Sequence, residues 1–201
     1  ASTTYRLNIT CGATVSSNII TVNTPAAVQG VFTIDRLSPA SPTNFQSFNE
    51  AYNYISCGIS GNVTFNVLNG PYNEQLIMSE VPGAGPAATV TFNGNNQAIT
   101  FASSNSNERA VIKLNGADYI NFNDLVVNAA GRTASQYGFG FQLMNDANNN
   151  MINGCTINID PSETSTNYAG IVISGSATSA TGTGTVLCDD NIITNNNITG
   201  G

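Results

Sequence analysis

The 201-residue sequence has no histidine, no tryptophan and only five cationic side chains, of which Lys113 is the sole lysine. Without histidine there is no Ser-His triad, no imidazole general base and no histidine-based metal site. Charged residues make up 8% of the chain, against roughly 25% in ordinary soluble domains. The net charge of −7, with so few cations, argues against a phosphate-binding face for nucleic acid and against a platform for anionic lipid. No apolar run approaches the ~20 residues that span a bilayer, so no membrane span is expected. The opening "ASTTYRLN" lacks the basic and apolar regions of a signal peptide, as a mature or truncated form would. The four cysteines, Cys11, Cys57, Cys155 and Cys188, show no CxxC spacing, which argues against a zinc site. They allow three disulfide connectivities, and buried free thiols in a β core are an equal alternative.

What the chain does have is Val, Ile, Thr, Asn, Gly and Ser, a strand-and-turn composition too rich in β-branched residues for disorder. "TTYRLNITCGATVSSNIITVNTP" reads as two strands. Tyr5, Leu7 and Ile9 alternate with Cys11 in phase, "GATVSSN" turns, and a second strand starts at Ile19. Residues 25–42 read as a linker and lead-in. A helix is predicted over 43–55, with Thr43 as N-cap and Gln46 completing a capping box. Phe45, Phe48, Ala51, Tyr52 and Ile55 then share one face. From Asn62 onward short strands follow one another, with Gly and Asn at the turns.

The strands repeat. "FNDLVVN" (122–128), "INGCTIN" (152–158) and "ITNNNIT" (193–199) superpose without gaps, spaced 30 and 41 residues apart. Phe122, Ile152 and Ile193 share one position; Leu125, Cys155 and Asn196 a second; Val127, Ile157 and Ile198 a third. "GFQL" (140–143) matches "GIVI" (170–173) at the first offset, and "SATSATGTGTVL" absorbs the extra length of the second. A strand-only unit of this size cannot bury itself, so coils must stack. The predicted fold is all-β, a right-handed parallel β-helix with an N-terminal capping α-helix, preceded by a β-strand pair. Asn196 is then expected at an inward position, hydrogen-bonded along the stack.

"VFTIDRLSPASPTNFQSFNEAYNYI", "GNVTFNVLNGPYNEQLIM" and "VIKLNGADYINFNDLVV" together resemble the right-handed parallel β-helix regions of large secreted surface proteins of Bacteroidota. The resemblance runs from about Val31 to the end of the sequence. It implies a segment of a longer modular protein, exported by the type IX machinery, displayed outside the cell or on its surface, and adhesin-like. Its partners would be the secretion machinery and then surface glycans or proteins. Residues 1–24 look like the last strands of an immunoglobulin-like domain, in which "YRLNITC" would carry the Tyr and Cys of the penultimate strand. Residues 43–201 would form a β-helix incomplete at its C-terminal end.

Chemistry is sparse. Pectin methylesterases share the capping helix and a "G-Y-x-E" coil, but Asp160 lacks the turn context of their catalytic aspartate. Asp189 and Asp190 resemble the paired aspartates of polygalacturonases without the His-Gly and Arg-x-Lys partners. Neighbouring strand residues also face opposite sides. Lys113, Arg36, Arg109 and Arg132 show no cluster that would serve a lyase, and each reads as a surface residue. Calcium has two candidate carboxylate sets, Asp160 with Glu163 and Asp189 with Asp190, neither matching a calcium loop. Tyr119, Tyr137, Phe139 and Tyr168 fall near corresponding turns and could stack on sugar rings or pack against the core. The expectation is a non-enzymatic structural or adhesin-like segment without a cofactor. The alternative is a carbohydrate-active β-helix (pectin esterase, lyase or glycan-binding module) whose active coils lie beyond these residues.

Overall fold

The computed structural model describes the chain except Ala1, Leu7, Gly12, Thr24, Pro25, Pro161, Glu163 and Thr164. Within the first 25 residues it describes strand side chains only at Thr4 and Ser16. There β1 (Ser2–Tyr5), β2 (Asn8–Cys11), β3 (Ala13–Ser16) and β4 (Ile20–Asn23) form an antiparallel ribbon, β1 pairing with β4 and β2 with β3. The first expected strand is thus divided into β1 and β2, and β4 answers to the second. Ala13–Ser16, read as part of a turn, is a strand with β-branched Thr14 and Val15 at its centre. The side chains of Tyr5 and Cys11, on which the immunoglobulin-like resemblance rests, lie outside the described set.

Beyond the ribbon the chain winds into a solenoid. β5 (Val28–Asp35) and β6 (Asn44–Phe45) lead into α1 (Phe48–Ile55). The first full coil is β7 (Ile59–Leu68), β8 (Tyr72–Asn73) and β9 (Leu76–Met78). The second is β10 (Val90–Asn93), β11 (Ala98–Phe101) and β12 (Ala110–Asn115). The third is β13 (Ile120–Asn123), β14 (Val126–Ala129) and β15 (Gly138–Met144). The fourth is β16 (Met151–Asn153), β17 (Thr156–Asn158) and β18 (Tyr168–Ile173), and β19 (Ile192–Thr194) and β20 (Asn197–Thr199) open a fifth. The first strands of the coils stack in parallel as one face, in the order β6-β5-β7-β10-β13-β16-β19. The second face runs β8-β11-β14-β17-β20 and the third β9-β12-β15-β18. This is a parallel β-helix. Phe122 pairs with Ile152 and Ile152 with Ile193, as the repeat spacing requires.

Like residues stack inward. Phe32, Phe65, Phe92 and Phe122 occupy one rank, with Phe92 and Phe122 5.1 Å apart at 9° and Phe65 and Phe92 5.1 Å apart at 24°. Burying each such side chain contributes about 1.5–3 kcal/mol, and offset stacking adds to it. On the second face Tyr72, Ile99, Val127, Ile157 and Ile198 share a rank, and on the third Leu76, Ile112, Phe141 and Ile171 do.

The helix is shorter than the 43–55 predicted. Its N-cap is Ser47, whose hydroxyl accepts from the Glu50 amide, while Asn44 and Phe45 belong to β6. Glu50 returns a carboxylate oxygen to the Gln46 amide at 2.8 Å. The capping signal therefore exists four residues later than read, because pairing of Thr33 with Asn44 keeps that stretch extended. Phe48, Ala51 and Ile55 turn into the core, where Phe48 stacks on Phe92 at 5.8 Å.

The asparagine runs resolve into distinct jobs at two corners. Asn148, Asn149 and Asn150 take the positions that Asp189, Asp190 and Asn191 take one coil on. The first of each set links coils: the Asn148 amide donates to Asp118 Oδ1 (2.6 Å), and the Asp189 amide to Asn148 Oδ1 (2.5 Å). The second adopts the left-handed conformation, as does Tyr119 one coil earlier (φ 58, 56 and 55 for Tyr119, Asn149 and Asp190). The third bridges back. Asn150 Oδ1 accepts from the Ile120 amide and its Nδ2 donates to the Ala117 carbonyl, both at 2.9 Å. Asn191 does the same for Asn150 and Ala147. Asn196 repeats the device at the next corner, holding the Cys155 amide and the Ile152 carbonyl at 2.9 Å each. Each side-chain amide thus satisfies one donor and one acceptor that the neighbouring coil leaves open.

Candidate functional site

The four aromatic candidates do not form a row. Tyr168 pairs in register with Gly138, not with Tyr137. A shift of one residue turns side chains to opposite sides of a strand. Tyr168 is buried, with its hydroxyl donating to the Thr133 carbonyl at 2.7 Å and accepting from the Thr133 amide at 3.2 Å. Phe139 is fully buried in a small cluster with Ala110 and Val172. Tyr137 is half-buried under the Arg109 guanidinium, 4.0 Å from its ring centre. Tyr119 stands at a left-handed corner, the position that Asn149 and Asp190 take in the next coils.

The carboxylates also separate. Asp189 and Asp190 are corner residues of the fifth coil. Asp118, the carboxylate equivalent to Asp189, lies two coils away, about 10 Å at the spacing of stacked strands, with Asn148 between them. Asp160 lies in the loop after β17, and Glu163, its proposed partner, is outside the described residues. Among the described residues no group of three metal-ligating side chains converges. The Asp160 carboxylate is held below its usual range by the Ser162 hydroxyl and amide, against a small burial penalty, with Arg132 adding a weaker pull.

Three cations read as surface residues are engaged elsewhere. Arg36 donates to the Pro71 carbonyl at 2.7 Å. Arg109 is buried, bonded to Asn167 Oδ1 at 2.7 Å and to the Ser106 carbonyl. Lys113 is buried too, with Nζ on the Asn107 carbonyl at 3.1 Å, and burial lowers its pKa. Gln142, its neighbour in register, donates to the Ser176 carbonyl, while its buried Oε1 has no partner among the described residues. Lys113 and Gln142 thus pin two loops, around Asn107 and Ser176, over the outside of the third face. The thiols of Cys57, Cys155 and Cys188 are free. Burial pushes the Cys155 thiol up to about 11, so it is a core residue and no nucleophile.

The "G-Y-x-E" residues prove structural. The Tyr72 hydroxyl donates to the Ile34 carbonyl at 2.8 Å and also meets the Leu68 carbonyl. Glu74 accepts from the Phe48 and Asn49 amides at 2.8 and 3.1 Å, so its carboxylate sits on the first turn of α1. The motif latches the capping helix to the first full coil.

One cleft does gather polar groups of different kinds. It has a volume of about 410 Å³ and lies along the second face, lined by Thr100, Asn128 and Asn158 with Ala129, Arg132 and Asp160. Asn128 Nδ2 donates to Thr100 Oγ1 at 3.1 Å and Asn158 Nδ2 to Asn128 Oδ1 at 2.8 Å, one residue per coil. Arg132 stands at its rim, its side chain 75% exposed, 3.7 Å from an Asp160 carboxylate that is only 8% exposed. Sequence reading passed over Arg132 as unclustered. Its partner arrives from the next coil, and the usable signal was the 30-residue recurrence of Asn128 as Asn158.

No protein-family model, curated protein or solved structure matches the chain. The chain is a parallel β-helix in which Asn150, Asn191 and Asn196 bond one coil to the next.

Proposed function

We propose that the chain is a non-enzymatic, adhesin-like β-solenoid segment of a larger exported protein, working at the cell surface or outside the cell. The observation that carries this reading is where its polar side chains go. Of the motif it shares with pectin methylesterases, Glu74 latches the capping helix and Tyr72 ties the first full coil to β5. Asn150, Asn191 and Asn196 are consumed in bonds between coils. A chain that commits its amides and carboxylates to coil stacking suits a rigid spacer or display surface. The neutral-polar, cation-poor composition fits an extracellular setting, and the resemblance to surface β-helices of Bacteroidota supports export by the type IX machinery. On this reading the chain needs no cofactor, and its later partners are surface glycans or proteins.

The test is incubation with polygalacturonate and with methyl-esterified pectin, followed by assay of reducing ends, methanol and unsaturated products. No product is expected. Product formed by the purified chain and abolished by Asp160→Asn or Asp189→Asn would overturn the reading.

A further inference from the structure

We infer that the cleft along the second face, between the Thr100–Asn128–Asn158 row and Arg132, binds an acidic saccharide, with the uronate carboxylate on Arg132 and the sugar hydroxyls on the row. The inference rests on the non-enzymatic surface reading and gives it a ligand class.

Arg132 carries the argument. In a chain of net charge −7 with five cations, Arg36, Arg109 and Lys113 are each bonded to backbone carbonyls. Arg132 alone stands at the rim of this cleft. Among the described residues its guanidinium meets only Asp160, through a single 3.7 Å contact. A guanidinium has five N–H donors in a planar fork that matches a carboxylate, so among the described residues most of its donors have no partner. Asp160, half-buried and tied to Ser162 at 2.7 and 2.9 Å, positions the arginine without using it up. A second, exposed carboxylate can therefore dock on the outer edge of the fork.

The row supplies the rest. Asn128 and Asn158 each spend one amide N–H along the stack, and each amide nitrogen carries two. Among the described residues one N–H per coil on the cleft lining is thus uncommitted, repeated at the strand spacing of about 4.8 Å, close to the length of one pyranose. Thr100 Oγ1 adds a hydroxyl at one end. A cleft of this volume falls in the range of small-ligand sites. Its lining is Thr100 and the two amides, the Arg132–Asp160 pair and the apolar Ala129, Ala130 and Ile159, with no aromatic ring, so it offers amide donors to hydroxyls and the open edge of one guanidinium to a negative charge. A neutral sugar lacks the group that Arg132 would bind.

The experiment is calorimetric titration of the full chain with trigalacturonate and with the neutral trisaccharide galactotriose. Variants Arg132→Gln and Asn158→Ala are run alongside Asp190→Asn, a remote control, and thermal melts verify that each variant folds. Saturable binding of trigalacturonate is expected, weakening as salt is raised. The neutral sugar and Arg132→Gln are each expected to lose about tenfold in affinity, the worth of one charge-assisted pair. Asp190→Asn should bind as the parent does. Absence of saturable binding, equal binding of the two sugars, or an Arg132→Gln variant that binds unchanged would each overturn the inference. The outcomes separate from the broader reading. Absent binding with no turnover removes the ligand and leaves a structural segment. Turnover of the oligosaccharide removes the non-enzymatic reading instead.

Discussion

The first coil and the last described coil are held differently. At the N-terminal end α1 closes the stack with Phe48 on Phe92 and Tyr72, and Glu74 clamps the helix N-terminus. At the last described coil Ile193 and Ile198 are 43% and 46% exposed, and Asn196 and Asn191 tie that coil to the one before it. The first coil is sealed by apolar burial, which is worth most where water is excluded. The other relies on amide bonds, for which water competes. Coil-to-coil pairing therefore sets the register everywhere, while the aromatic plug should supply more of the stability.

The widest expected contrast is between Phe92→Ala and Ile193→Ala. Phe92 touches Phe48, Phe65 and Phe122, so its loss should cost about 3–5 kcal/mol in urea denaturation. Ile193, already half in water, should cost about 1 kcal/mol. Equal losses would refute the sealed-end picture. Next come the bridging amides. Asn150→Ala leaves the Ile120 amide and the Ala117 carbonyl buried without partners, and about 2 kcal/mol should be lost. Asn196→Ala removes the same pair of bonds at a wetter site, and the loss should fall below about 1 kcal/mol.

Glu74→Ala should cost about 1 kcal/mol, as loss of a helix cap does. It should also speed hydrogen exchange at the Phe48 and Asn49 amides while leaving β16–β20 unchanged. A smaller effect concerns acid. The Asp35 carboxylate is held below its usual value by Ser38, Asn69 and the Leu37 amide. Its contribution is complete above the ordinary aspartate value of 3.8 and is lost as pH falls through the lower folded value. Asp35→Asn should therefore flatten the stability–pH curve of the capped end below that point. Smallest is a labelling difference: the exposed Cys57 should react with iodoacetamide in the native state, and Cys155 only on unfolding.

Much of the fold was legible. The Phe122–Ile152–Ile193 and Val127–Ile157–Ile198 series named the inward ranks before any coordinate, because parallel stacking puts like residues over like. Asn196 was legible for the same reason, as a polar residue in an apolar series that had to find partners. The helix start was misplaced because Thr43 and Ser47 both carry a plausible cap, and only the pairing of β5 with β6 decides between them. The aromatic row failed because Tyr137 and Tyr168 sit one residue out of phase, 31 residues apart where the coils repeat every 30.

The sequence by itself determined the repeat, the inward-facing ranks and the corners. These follow from alternation within strands and from the few residue types, Gly, Asn and Asp above all, that take a left-handed backbone cheaply. Only the tertiary structure decided that Glu74 caps α1, that Arg109 and Lys113 are buried, and that Arg132 of one coil meets Asp160 of the next. Those contacts join residues that no local period relates. They depend on how each loop crosses its neighbours, and loop length and direction are set by packing across coils rather than by the pattern within one.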